Sequence, residues 1–363
     1  MTRLLRAGVD VSATEIRDDG GFGRRKPGDL KYKTALEITL EAGHMEALRV
    51  LWDHGDTVRA QLLKGGVLLA PVVRGDLPML EMLLEYIPSG QLDEKGYLAW
   101  DHVISVAIGS GKVETVEFCL DRGFGVSDPL HQAASEGYFE IARLLLERGV
   151  IEDIGGRSAW WNHMTAMDLA AKAGQVHLME LLLENGATVD CTSEEGIQPV
   201  HHAAESGGVE AVKFLVQNGV DVNAPSNDGT TPIHEAARYN QYSTLEALIE
   251  MRGDVNVSDN DHHAALYHAA RASPALHIVR SEGDDAYTYG VDLAWLLLRN
   301  GAVVDQRDLS GLTAMDVAVR GGWIGMAKTL SMASTAGGIE NVADSLEELY
   351  ENLNEMDRDD EWY

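Results

Sequence analysis

Only two cysteines, Cys119 and Cys191, occur in the 363 residues. That is too few for a disulfide-stapled secreted fold, and neither cysteine belongs to a metal-spaced cluster. Basic residues are scarce too: 29 stand against 58 acids, for a formal net charge of −29. Such a balance argues against general nucleic-acid or anionic-membrane binding and fits a basic or cationic partner. No hydrophobic run approaches the ~20 residues of a membrane span, and no secretory signal is read after Met1. A reducing compartment is expected, the cytoplasm first and the nucleus as its alternative. Common catalytic signatures are missing as well: there is no phosphate loop with its lysine, no HExxH pair and no GxSxG elbow. GGFG at 20–23 is a flexible glycine string, and DDGGFG around it lacks the later acid of a calcium loop. No cofactor and no metal are expected.

What the chain has instead is a period. Gly196, Pro199, His201, Ala203, Ala204, Gly219, Asp221, Val222 and Asn223 are answered 33 residues later. The echo is Gly229, Pro232, His234, Ala236, Ala237, Gly253 (one residue late), Asp254, Val255 and Asn256. Such a spacing means stacked units rather than one globular core. Each recurring residue has a local task. Thr231-Pro232 opens a helix, because a hydroxyl caps free N–H groups and proline suits the first turn. Ala236-Ala237 are small and let a neighbouring helix approach. Leu245, Leu248 and Ile249 give a second helix its apolar face, and a glycine supplies the left-handed stop. Helices this short are marginal alone, so neighbours must stabilise them.

The strings TPIHEAA (231–237) and FLVQNGVDVNA (214–224) resemble the ankyrin repeat. The resemblance implies an all-α solenoid of helix pairs with β-hairpin-like connecting fingers, about nine units after an N-terminal half repeat. It covers nearly the whole chain and degenerates toward both ends, with the array expected over residues 1–338. The half repeat, LLRAGVDVSA within 1–13, is the end of a second helix lacking its first. Residues 14–33, with Arg24, Arg25, Lys26, Lys31 and Lys33, read as a long mobile basic loop. Pro71 should disturb the first helix of the degenerate repeat at 68–86. A finger at 155–163 is tipped by Trp160 and Trp161, and an insertion at 273–290 splits the repeat that begins HAALYHAARA. Residues 339–363 hold ten acids and one base, yet their apolar positions keep helical spacing. They read as an acidic amphipathic capping helix, with a free acidic tail as the alternative.

His131, His201 and His234 take the place of the histidine in the family's TPLH motif, where a structural role bracing neighbouring turns is expected. The resemblance assigns the next position, and those three and four residues further on, to a concave groove. Here these are Gln132, Leu169, His202, Glu205, Glu235, Arg238, Tyr239, His268 and Arg271. First helices of neighbouring units lie ~8–10 Å apart. His202, Glu235 and His268 should therefore form a row across three units, with Arg238 and Arg271 one turn along. Fingers project toward the groove in this family, which brings Trp160 and Trp161 beside it as apolar anchors; exposed tryptophans are enriched at energetic centres of interfaces. The competing expectation folds one or both back as local core, and packing is expected of Trp52, Trp295 and Trp323. Asn223 and Asn256 match a turn asparagine that some family members offer for hydroxylation, although turn geometry alone accounts for asparagine there.

The expected function is non-catalytic binding of a protein or peptide partner, by a monomer, through the groove of the central repeats. The alternative is a cofactor-independent acid–base enzyme of isomerase or cyclase type, acting on a small molecule with His202, Glu235 and His268. Its pocket would be roofed by the two insertions. A third reading is an adaptor that self-associates through its incomplete first repeat. An enclosed cavity touching His202, Glu235 and His268 favours chemistry; an open groove favours binding.

Overall fold

The computed structural model describes residues 15–16, 32–33, 39–40, 42–52, 68–86, 97–124, 127–151, 153–272, 290–321 and 323–335. The half repeat at 1–13, the acidic segment 339–363 and residues 273–289 of the insertion lie outside them. The chain divides into two compact units, Met1–Ile151 and Glu152–Tyr363.

In the first unit, β1 (Glu15–Ile16) pairs antiparallel with β2 (Tyr32–Lys33). The two ends of the segment read as a basic loop are thus joined as a short ladder, while residues 17–31 between them lie outside the described residues. Ile and Tyr favour extended backbone, which suits such pairing. The helices that follow are α1 (Met45–Trp52), α2 (Leu69–Arg74), α3 (Leu77–Tyr86), α4 (Tyr97–Gly109), α5 (Val113–Asp121), α6 (Pro129–Glu136) and α7 (Phe139–Glu147). The helices α2, α4 and α6 pack in sequence, each also against its own hairpin partner. Pro71 does not disturb α2, contrary to the expectation from sequence. It sits buried in the first turn, where a backbone N–H has no partner within the helix and its loss is harmless,. The Pro71 and Val72 carbonyls then accept the N–H groups of Asp76 and Gly75 and close the helix.

Among its described residues, the second unit holds a stack of five helix pairs. They are α8 (Ala166–Lys172) with α9 (Val176–Glu184), α10 (Pro199–Ser206) with α11 (Val209–Gln217), and α12 (Pro232–Arg238) with α13 (Tyr242–Glu250). Then come α14 (Ala265–Arg271) with α15 (Val291–Arg299), and α16 (Ala314–Gly321) with α17 (Ile324–Thr335). Each first helix packs on the next first helix, and each second helix on the next second helix. Alanines make the first row close: Ala170, Ala171, Ala203, Ala204, Ala236 and Ala237 are all fully buried. Leucines fill the space behind, with Leu182, Leu215, Leu245, Leu248 and Leu297 fully buried, each worth ~1.5–3 kcal/mol of transfer.

Caps tie one pair to the next. Thr231 is the N-cap of α12 and Pro232 opens it. The His234 Nδ1 accepts the Thr231 N–H at 3.0 Å, and its Nε2 meets the Val257 carbonyl of the following hairpin at 2.9 Å. His201 does the same between the Gln198 N–H and the Thr230 carbonyl, at 3.1 Å each. A ring that accepts at Nδ1 carries its proton on Nε2, so both histidines are neutral braces. At α8 and α16 a carboxylate replaces the ring. Asp168 accepts the Thr165 N–H and hydroxyl, both at 2.8 Å, and Asp316 does so from Thr313. Turn asparagines complete the ladder: Asn223 accepts the Asp254 N–H and Asn256 that of Val303, both at 2.8 Å. Gly207 shows how tight the spacing is. It ends α10 at φ +85°, and a Cβ there would lie 2.4 Å from the Gln241 Oε1.

No helix among the described residues is long and apolar enough to cross a membrane.

Candidate functional site

A cleft of about 710 Å³ opens in the second unit where α10 and α12 lie side by side. Register puts its side chains there. Residues 202 and 205 are one turn apart on α10, and 235 and 238 occupy the matching positions on α12. His202, Glu205, Glu235, Arg238 and Tyr239 all line the cleft, joined by Glu194, Glu195, Asp228, Asn227 and Asn260 from the hairpins. Gln241 holds the end of α10 in place by donating to the Glu205 carbonyl at 2.9 Å.

The polar groups are paired along the walls. The His202 Nδ1 lies 3.5 Å from Glu205, whose other oxygen is 3.1 Å from the Lys172 Nζ on α8. Arg238 reaches Glu235 at 3.2 Å. Five carboxylates line the cleft (Glu194, Glu195, Glu205, Asp228 and Glu235) against one guanidinium. Two of them differ in environment. The hydrogen bond from His202, assisted by Lys172, holds Glu205 below the ordinary glutamate range. Burial pushes Glu235 above it despite the opposing pull of Arg238. Tyr239 is 49% exposed at the rim, its phenol raised by burial and by both glutamates.

The other four expected site residues do not line this cleft. Trp160 is 83% exposed, while Trp161 is half-buried. They sit in a short 3-10 turn, Ala159–Trp161, inside a finger closed by a bridge between Ser158 and Met164. Ser158 accepts the Trp160 N–H, and Arg157 donates to the His163 and Thr192 carbonyls. Arg271 is exposed. Of the remaining groove positions, Leu169 is buried, and Gln132, in the first unit, donates to the Ser105 carbonyl at 2.8 Å.

His268 is buried and turned elsewhere. Its Nε2 lies 3.0 Å from an Asp259 carboxylate oxygen, and the His263 Nδ1 lies 3.2 Å from the same oxygen. These three ligand-type atoms are all within 4.8 Å of one another. The second Asp259 oxygen accepts the N–H groups of Asp261 and His263. Burial acts to raise the Asp259 carboxyl, but the His268 and His263 hydrogen bonds outweigh it and hold it far below the usual range. Burial lowers His268, and it pushes the neighbouring His234 down to about 4. Of this group, only His268 is among the groove positions expected from sequence. The signal for the group was the spacing Asp-x3-His-x4-His at a place where the preceding unit has Ser226, Thr230 and Glu235.

Comparison with known proteins follows the same stretch. A family profile described as "Ankyrin repeats (3 copies)" matches residues 103–193, 151–226, 167–261 and 201–281. The chain is similar to the human "Ankyrin repeat and KH domain-containing protein 1", 33% identical over 103 residues. It is also similar to the Drosophila melanogaster "Ankyrin repeat and KH domain-containing protein mask", 33% identical over 104 residues. These alignments cover 26% and 27% of this chain, and only 4% and 2% of the relatives. The human "Ankyrin repeat domain-containing protein 17" is 37% identical over 71 residues, which is 20% of this chain and 3% of that protein. Helix pairs in register, bracing histidines and the matched segments agree: this chain belongs to the ankyrin-repeat family.

Proposed function

We propose that the second unit recognises a basic segment of a partner protein, or a basic peptide, through the cleft between α10 and α12. Ankyrin repeats are protein–protein interaction modules; what is proposed is the face and the chemistry of the partner. The supporting observation is the excess of five lining carboxylates over one guanidinium. A lysine or arginine side chain entering the cleft gains charge-assisted hydrogen bonds from acceptors that the fold already holds in position. Arg238, paired with Glu235, sets orientation by repelling a cation on its own side. Trp160 offers a wide exposed ring for apolar contact with flanking residues of the partner,.

An array of peptides of graded net charge, probed with the intact chain at two ionic strengths, tests this. Retention should rise with positive charge and weaken at higher salt. Equal retention of acidic and basic peptides would remove the proposal.

The acid–base reading has one observation in its favour: Glu205 and Glu235 are displaced in opposite directions, as paired catalytic carboxylates often are,. Against it, His268, the third residue that such chemistry was expected to use, is engaged with Asp259 outside the cleft.

A further inference from the structure

We propose that Asp259, His263 and His268 form a binding site for a divalent transition-metal ion of the zinc class. The donor set is one carboxylate oxygen and two imidazole nitrogens, the mixture that zinc and its neighbours prefer over calcium or magnesium. Three ligand atoms from a hairpin and a helix converge within 4.8 Å. Their side chains are only 8%, 11% and 5% exposed, so bulk water competes weakly.

The surroundings supply what a metal site needs beyond its ligands. A histidine that binds through Nδ1 carries its proton on Nε2, and a carboxylate facing that nitrogen fixes the ring and raises its basicity. The His263 Nε2 faces Asp308 at 3.8 Å. Asp308 is itself held by the Tyr267 hydroxyl at 3.0 Å and by the backbone N–H groups of Ser310 and Leu312. Tyr267 stacks on the His263 ring with centroids 3.9 Å apart. Asp259 is oriented by two backbone N–H groups through the oxygen that is not shared with the imidazoles.

Ordinary repeat architecture does not call for this arrangement. In the preceding unit the matching positions are Ser226, Thr230 and Glu235, which offer no imidazole, and His234 stands where Tyr267 stands here. The aspartate itself recurs, since Asp308 accepts the two matching hairpin N–H groups one unit later; what is peculiar to this unit is the pair of imidazoles, His263 and His268, beside it. Even the turn between Asp259 and His263 is unusual: His262 takes φ +66° where the preceding unit has Gly229.

Isothermal titration of zinc chloride into the chelator-stripped intact chain tests the site. Saturable uptake of one ion per chain is expected, accompanied by a higher melting temperature. Uptake should disappear in His263→Gln and His268→Gln proteins whose far-ultraviolet circular dichroism matches the parent. Asp308→Asn should weaken affinity by roughly 10–100-fold, as the loss of an orienting carboxylate does elsewhere. Absence of saturable uptake, or undiminished uptake by the folded variants, overturns the proposal and leaves a hydrogen-bonded cluster. Should the variants fail to fold, cobalt(II) decides on the parent chain. Strong visible bands of a four-coordinate nitrogen–oxygen site support the proposal, and a spectrum indistinguishable from aqueous cobalt refutes it.

Discussion

Positions 202, 235 and 268 occupy one register in three successive units, and their surroundings part company. His202 and Glu235 look into the cleft, beside Glu205 and Arg238. His268 turns away and joins Asp259. The residues around it account for the difference. In the two earlier units a histidine at 201 or 234 accepts the N-cap N–H and bonds the next hairpin. In the third, Tyr267 holds that place and Ala264 provides no capping side chain. Asp259 stands where Ser226 stands one unit earlier, and its carboxylate draws in the imidazole of the adjacent position. A repeat thus sets where a side chain starts, while the nearest unlike partner sets where it ends.

The largest effect should come from removing a brace. His234→Ala strips partners from the Thr231 N–H and the Val257 carbonyl and leaves a void, costing about 3 kcal/mol in urea unfolding. His202→Ala, at the cleft wall one unit earlier, should cost under ~1 kcal/mol. Equal losses would erase the distinction between bracing and lining positions.

Next comes acid. Burial lowers His201 in the folded chain, so the unfolded chain takes up the proton first. Its stabilising contribution is complete above the unfolded value of ~6.5 and is lost as pH falls below it. Urea midpoints measured from pH 7 downward should fall, with a shallower slope in His201→Asn. A smaller change is expected at the caps. Thr165→Ala removes the hydroxyl that meets Asp168 and should cost about 1 kcal/mol, whereas Ala264→Gly, with no capping side chain to lose and glycine preferred over alanine at an N-cap, should carry no comparable cost,. Smallest of all, Trp160→Ala should leave stability within ~0.5 kcal/mol, because its ring is 83% exposed. A large loss there would mean that the finger is structural.

The helix pairs were legible because their signals are local. Thr-Pro openings, paired alanines and leucines at helical spacing recur within 33 residues, and α12 with α13 follows them closely. Five of the fourteen residues lining the cleft were legible for the same reason: His202, Glu205, Glu235, Arg238 and Tyr239 are fixed by register on α10 and α12. The hairpin contribution was not. Glu194, Glu195 and Asp228 reach the cleft through turns whose direction no periodicity encodes. His268 was misplaced by its register for want of a way to see Asp259, nine residues earlier, curling back beneath it. Pro71 and the ends of the basic loop show the same limit. A breaker is harmless in a first turn, and two-residue strands leave almost no pattern.

The most direct test is the affinity of a fluorescent lysine- and arginine-rich peptide for the parent chain and for a Glu205→Gln/Glu235→Gln variant, read by anisotropy. The account predicts roughly tenfold weaker binding by the variant, as for other close charge pairs. It also predicts that parent affinity falls on acidification, with Glu235 neutralised before Glu205. A variant that folds normally and binds the peptide as tightly as the parent would contradict it.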